Sequence, residues 1–116
     1  MRNRRLLALR VQAAYYVASG TWPLVSRRSF ETITGRKQDW WLVQMVGLLA
    51  MTNGIAIGVA ALEEPPSRVT LTLSLLSACS FAAIDIIHAL KGTISSVYLA
   101  DAAIEAAIIA AIVAEA

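Results

Sequence analysis

Residues 40–62 read WWLVQMVGLLAMTNGIAIGVAAL, an apolar stretch that contains no charged residue. A helix needs about 20 predominantly apolar residues to cross a hydrocarbon core about 30 Å thick, and this stretch is long enough. Tryptophan is enriched where a membrane meets water, so Trp40 and Trp41 predict that the helix begins at an interface. Asp39 directly precedes the pair and is expected to cap the first turn. The stretch therefore predicts a transmembrane helix.

Three further stretches have a similar length and character. The four predicted spans are about 6–25, 40–62, 69–90 and 94–114. Short connections make consecutive helices antiparallel neighbours. The sequence thus predicts an all-α fold, in which residues 1–116 form a single domain, a four-transmembrane-helix up-down bundle. The polar residues 26–39 are expected to form an interfacial loop, or a short helix that lies on the membrane, between the first two spans.

The composition of the whole chain also favours a membrane location. Hydrophobic residues make up 58% and charged residues 16% of the sequence, whereas a soluble domain carries about 25% charged residues. A fold of this size cannot bury so much apolar surface. The arginines lie near predicted helix ends, where lipid headgroups explain the net charge of +2 better than a nucleic acid does. We expect the lipid bilayer as a partner, no nucleic acid, and a location in the bacterial inner (cytoplasmic) membrane.

Acidic residues inside the predicted spans are confined to the last two helices. Asp85 and His88 lie three residues apart on the third span, while Tyr98, Asp101 and Glu105 share a face of the fourth. At about 1.5 Å of rise per residue from the turn between these spans, four side chains reach comparable depths, namely those of Asp85, His88, Tyr98 and Asp101. Glu105 lies deeper, about 20 Å from the turn and near the middle of the bilayer. Ionisable groups at such depth are costly and indicate a function.

These side chains predict a polar pocket inside the bundle that opens toward residues 26–39. Glu105 and Asp101 are the candidate proton-transfer groups, and Asp85 and His88 complete the candidate catalytic set. Two interacting carboxyl groups beside a histidine can pass a proton or hold a cation. The candidate ligand-binding residues are expected to lie along the pocket or in the connection above it, namely Tyr98, Asn53, Tyr15, Tyr16, Gln44, Glu31, Lys37 and Asp39.

Three functions fit this pattern. The first is a membrane protein whose pocket binds a lipid-like or small amphipathic ligand, with acid–base chemistry on that ligand as an option. The second is a proton-coupled transporter of dual-topology type. The third is an accessory or structural subunit, in which hydrogen bonds such as Asp85 to Tyr98 and Asn53 to Glu105 only lock the helices together.

The sequence offers little support for a metal or a cofactor. Iron, manganese and zinc accept the ligand types present, but there is one histidine and neither an ExxH nor an HExxH pattern. Nucleotide-binding and serine-nucleophile motifs are absent from the sequence as well. We therefore expect neither a metal site nor a cofactor.

Small residues predict close helix contacts in the second span. Gly54 and Gly58 form a GxxxG pair, and Gly47 precedes them at helical spacing. Such residues let helix backbones approach closely in lipid. Contacts within one bundle are the simpler interpretation, and a homodimer through Gly54 and Gly58 is the alternative.

The stretch YYVASGTWPLVSRRSFETITGRKQDWWLVQMVG (residues 15–47), with YLADAAIE at 98–105, resembles a group of small uncharacterised bacterial four-helix membrane proteins. In that group a Trp-Pro pair ends the first helix, and a Phe-Glu…Thr-Gly-x-Lys-x-Asp-x-Trp-Leu-Val segment leads into the second. The positions that carry the pattern here are Phe30, Glu31, Thr34, Gly35, Lys37, Asp39, Trp41, Leu42 and Val43.

The chain is also similar to the DoxX-like four-helix membrane proteins in size and layout. Both resemblances imply a four-helix membrane fold without implying an activity. Small multidrug-resistance transporters share the length and the four spans. Their essential acid lies in the first helix, however, and the first predicted span of this chain contains none.

Overall fold

The computed structural model describes residues 2–114, which form five helices and no strands. The helices are α1 (Arg2–Val25), α2 (Arg27–Thr34), α3 (Trp40–Ala60), α4 (Arg68–Leu90) and α5 (Tyr98–Val113). The predicted all-α class is therefore confirmed, and α1, α3, α4 and α5 overlap the four predicted spans.

The connection between α1 and α3 contains a short helix rather than a loop throughout. The Ser26 hydroxyl oxygen accepts a hydrogen bond from the Ser29 backbone N–H at 3.3 Å and so caps the beginning of α2. Gly35, with a φ of 98°, follows its last residue, since glycine adopts positive φ without strain. Phe30 packs edge-on against Trp22 and Trp40, with ring centroids 5.2 and 6.0 Å apart. These rings anchor α2 across the adjacent ends of α1 and α3.

The last helix begins at Tyr98 rather than near residue 94. Gly92 adopts a φ of 76°, which turns the chain after α4. The backbone N–H groups of Thr93 and Ile94 then donate to the His88 carbonyl at 2.9 and 3.3 Å. Residues 94–97 therefore belong to the connection, although Ile94 and Val97 are apolar like the helix that follows.

Helices α1 and α3 pack closely because glycines stand where their backbones meet. A Cβ atom on Gly47 would lie 2.7 Å from the Gly20 carbonyl oxygen, and one on Gly54 would lie 2.8 Å from the Ala13 carbonyl oxygen. Side-chain atoms do not tolerate such distances, so glycine is required for this approach. The predicted contact within one bundle is confirmed, while a homodimer through Gly54 and Gly58 stays a prediction.

Helix α1 is central to the bundle. It packs most extensively on α3 and also contacts α5, while α4 packs mainly on α5. Consecutive spans are therefore neighbours for α1 with α3 and for α4 with α5, as predicted. Helices α3 and α4, in contrast, touch at few points. The buried core is formed by side chains of α1, α3 and α5, among them Leu9, Tyr16, Ile57, Ile108 and Ile112.

Within residues 2–114, two helices, α3 and α4, are long and apolar enough to cross a membrane. Only 22% of the most apolar stretch of each is buried inside the protein, whereas the core helix of a soluble protein would be mostly covered. Large apolar side chains point outward instead, and Leu49 and Leu76 are 58% and 62% exposed. These outward faces make α3 and α4 candidate membrane spans.

Gly54→Ala is expected to lower the free energy of unfolding in detergent by about 1–3 kcal/mol, the usual range for overpacking, because the new methyl group meets backbone atoms of α1. Gly58→Ala is the matched control, since its Cβ atom would lie 3.4 Å from the Ala13 Cβ atom. That substitution is expected to be neutral or slightly stabilising, because alanine favours a helix. Thermal unfolding followed by circular dichroism checks both variants, and equal effects would contradict the close contact.

Candidate functional site

Two tyrosines of α1 donate hydrogen bonds to the two acids of α5. The Tyr16 hydroxyl donates to Glu105 Oε1 at 2.7 Å, and the Tyr15 hydroxyl donates to Asp101 Oδ1. Asp101 and Glu105 lie about one helical turn apart and so share a face of α5. Tyr16 and Glu105 are each 1% exposed, whereas Tyr15 and Asp101 are half-buried. The structure thus brings four of the candidate site residues together between α1 and α5.

A second buried pair joins α1 to α4. Gln12 Nε2 donates to the Ser74 carbonyl at 3.1 Å, and the Ser74 hydroxyl donates to Gln12 Oε1. Both residues are fully buried. Gln12 precedes Tyr15 and Tyr16 by about one turn, so it extends their polar face along α1. Gln12 and Ser74 are not among the predicted site residues. The sequence signal for Gln12 is its helical spacing from the two tyrosines.

Asp85 brings a third carboxyl group to the same place. Its carboxyl group lies close enough to those of Asp101 and Glu105 to interact with them electrostatically. Asp85 is 5% exposed, and its Oδ2 atom is buried without a partner among the described residues. Carboxyl groups this close in an apolar bundle need protons, a cation or a donor group between them. We call Asp85, Asp101 and Glu105 the carboxyl cluster.

His88 lies about one turn beyond Asp85, toward the end of α4. Its Nδ1 atom is buried and, in the part of the chain that the structure describes, makes no hydrogen bond. The residue as a whole is half-buried. No group of three His, Cys, Asp or Glu side chains within residues 2–114 is arranged to hold a metal ion. His88 thus extends the polar face of Asp85 toward the α2 end of the bundle.

The two hydrogen bonds expected of a purely structural network are replaced by other contacts. Tyr98 lies beneath Lys37, with the Lys37 Nζ atom 4.9 Å from the centroid of the Tyr98 ring. Asn53 Nδ2 donates to Ser77 Oγ on α4 at 3.3 Å. The predictions that Tyr98 bonds to Asp85 and Asn53 to Glu105 are therefore wrong. Tyr98 lies at the α2 end of the site, and Asn53 belongs to the contact between α3 and α4.

The connection between α1 and α3 covers the beginning of α5. Glu31 Oε2 accepts a hydrogen bond from the Lys37 backbone N–H at 2.8 Å, and Lys37 Nζ donates to the Thr34 carbonyl at 3.0 Å. The Lys37 N–H, together with the nearby Arg27 guanidinium, holds the pKa of Glu31 below its usual range. These bonds hold Lys37 over the Tyr98 ring in a cation–π contact.

Gln44 and Asp39 lie outside the site, which corrects two predictions. Gln44 is exposed because Gly47 and Ala50 belong to the buried face of α3. Asp39 precedes α3, but its side chain makes no capping hydrogen bond. Its backbone carbonyl accepts the Leu42 N–H at 3.0 Å instead. A helix that is apolar on all sides gives no sequence signal for which face is buried.

Comparisons with family models, with curated proteins and with solved structures find no match to this chain. The resemblance to small four-helix membrane proteins, DoxX-like proteins included, therefore stays a prediction. What the protein does must be inferred from the geometry of its own residues.

Tyr16→Phe is expected to destabilise the protein by about 1–3 kcal/mol, because it leaves the buried Glu105 Oε1 atom without its donor. Tyr98→Phe is the matched control. The Tyr98 hydroxyl makes no hydrogen bond among the described residues, so its loss should change the free energy of unfolding by less than about 0.5 kcal/mol. Thermal or denaturant unfolding in detergent measures both changes. Similar losses in the two variants would show that the Tyr16 bond does not hold α1 to α5.

Proposed function

We propose that the chain is an integral membrane protein in which α1, α3, α4 and α5 cross the bilayer, and that its carboxyl cluster binds the polar head of a lipid-like or small amphipathic ligand. The outward apolar faces of α3 and α4 support the membrane location, since water is a poor solvent for so much exposed hydrocarbon. Helices also satisfy all their backbone hydrogen bonds internally, which suits a chain surrounded by lipid.

Two arginines of α1, Arg5 and Arg10, are compatible with a membrane-spanning helix because they bind at helix ends. Arg5 donates to the Ile112 carbonyl near the end of α5, from Nε at 3.1 Å and from Nη2 at 2.8 Å. Arg10 Nη2 donates to the Ala61 carbonyl, just after α3, at 3.5 Å. Cations at helix C-termini satisfy free carbonyl groups and interact favourably with the helix dipole. Both guanidinium groups then lie at the level where headgroups and water begin.

The unpartnered Oδ2 atom of Asp85 carries the proposal that a ligand binds. A buried acceptor left without a donor costs about 1–3 kcal/mol, and more when it is charged. Three carboxyl groups meet here, but among the described residues only the Tyr15 and Tyr16 hydroxyls donate to the cluster. A hydroxyl or amine group on a ligand would supply a further donor. Such a group is the polar head of an amphipathic molecule.

Access to the cluster is supported from the α2 end. Asp101, His88 and Tyr98 are half-buried there, whereas Glu105 is 1% exposed. A polar head that enters from this end meets Asp101 before Glu105. This order suits proton transfer, in which Asp101 or Glu105 gives or takes the proton while Asp85 and His88 orient the head.

A second candidate function is supported by the hydrogen bonds that are already complete. Tyr16 to Glu105 and Gln12 to Ser74 each hold one helix against another, as expected of a structural or accessory subunit. The two candidate functions differ in the role of Asp85. It binds a ligand in the first and none in the second.

Asp85→Asn is expected to retain the fold and to lose bound lipid-like molecules. The amide keeps the shape of the carboxyl group but replaces one of its two oxygens with an NH2 donor, so affinity should fall by at least about tenfold, or about 1.4 kcal/mol. Mass spectrometry of the small molecules that stay with the protein after gentle detergent extraction measures this. Cys79→Ser is the matched control, because Cys79 is exposed on the same helix.

If Asp85→Asn carries the same bound molecules as the wild type, the ligand proposal is overturned and the structural candidate is left. If Asp85→Asn does lose the bound molecules, Glu105→Gln separates proton transfer from helix locking. The glutamine oxygen still accepts from Tyr16, so the unfolding temperature should hold while any turnover of the ligand stops.

A further inference from the structure

We propose that a groove between α3 and α4 holds the apolar chain, acyl or isoprenoid, of the ligand whose head binds the carboxyl cluster. This inference rests on the proposed function and extends it, because it states where the rest of the ligand lies and how the ligand enters. The groove has a volume of about 340 Å³, which lies in the lower part of the range for small-molecule sites. Its lining residues are Val46, Leu49, Ala50, Asn53, Leu76, Ser77, Ser80 and Phe81.

Phe81 connects the groove to the carboxyl cluster. It lines the groove, and its ring packs edge-on against Tyr16 with the centroids 5.3 Å apart. Tyr16 in turn donates to Glu105. Asp85 follows Phe81 by four residues, so it lies on the same face of α4, about 6 Å further along the helix. A chain in the groove therefore places a head attached to it within one turn of Asp85.

The chemistry of the groove suits a hydrocarbon chain rather than a charged partner. None of its lining residues is ionisable, and two of its three polar side chains, Asn53 and Ser77, are already hydrogen-bonded to each other. Leu49 and Leu76 at its rim are 58% and 62% exposed. Because α3 and α4 are the two candidate spans, the groove opens toward the lipid chains of the bilayer. An apolar chain can enter sideways without leaving hydrocarbon.

The groove is tested with palmityl alcohol that carries a photoreactive diazirine in mid-chain, bound to the full chain in lipid nanodiscs. Mass spectrometry locates the cross-linked residues after illumination. Ser80→Trp places a large side chain in the groove, and Cys79→Trp adds the same side chain at a neighbouring exposed position outside it. We expect cross-links within residues 46–53 and 76–81, reduced about tenfold or more by Ser80→Trp and unchanged by Cys79→Trp.

Three outcomes would overturn the inference. Cross-links that avoid both segments, or cross-linking that Ser80→Trp leaves intact, would show that the chain lies elsewhere. A change of oligomeric state in Ser80→Trp, with unchanged lipid cross-linking, would show that the groove holds a second copy of the protein. Unfolding temperatures of the two tryptophan variants are compared first. Should Ser80→Trp unfold, Ser80→Leu in the same assay decides the matter.

Asp85→Asn and the methyl ether of the same probe separate this inference from the proposed function. If the ether, which has no donor, binds as well as the alcohol and Asp85→Asn has no effect, the carboxyl cluster does not bind the head. Groove cross-links that persist would then support a chain site alone. If instead Asp85→Asn abolishes binding while the cross-links lie outside the groove, the head site stands and the groove inference fails.

Discussion

The hydrogen bond from Tyr16 to Glu105 joins the two helix pairs of this bundle. Glu105 is an acid in an apolar helix, and burying its carboxyl group without a hydrogen-bond donor would be strongly unfavourable. Accepting the Tyr16 hydroxyl fixes the rotation of α1 relative to α5. With that rotation set, Tyr15 reaches Asp101 and Gln12 reaches Ser74. The contacts of α1 with both α4 and α5 therefore depend on the hydrogen bond between Tyr16 and Glu105.

The same arrangement leaves the carboxyl cluster with more acceptors than donors. Tyr15 donates to Asp101 and Tyr16 donates to Glu105, while the Oδ2 atom of Asp85 has no partner among the described residues. In a structural network of the usual kind, each buried polar atom is satisfied. Here the surplus acceptor belongs to one residue, Asp85, which lies near the groove between α3 and α4 and close to the half-buried residues at the α2 end of the site. That imbalance is the reason to consider ligand binding before helix locking alone.

Hydropathy and helical rise depend on local spacing, so the sequence predicts the helices and the relative heights of the acids along them. The rise per residue predicts comparable depths for Asp85 and Asp101, and the structure brings their carboxyl groups close enough to interact. The sequence does not reveal which face each helix buries. Helix α3 is apolar all round, so Gln44 was expected inside but is exposed. The late start of α5 was missed because Ile94 is apolar, although its N–H bonds back to the end of α4.

The groove between α3 and α4 follows from how α3 uses its small residues. Gly47 and Gly54 face α1, where their missing side chains allow backbone contact. The face that α3 turns toward α4 carries side chains such as Val46 and Leu49, and the two helices touch there at few points. Helix α3 is therefore closely packed on one side and open on the other. Because Phe81 lies between that space and Tyr16, a molecule there contacts mainly hydrocarbon, and the ionisable groups lie beyond the Phe81 ring. Such a division is what the proposed ligand, apolar at one end and polar at the other, would require.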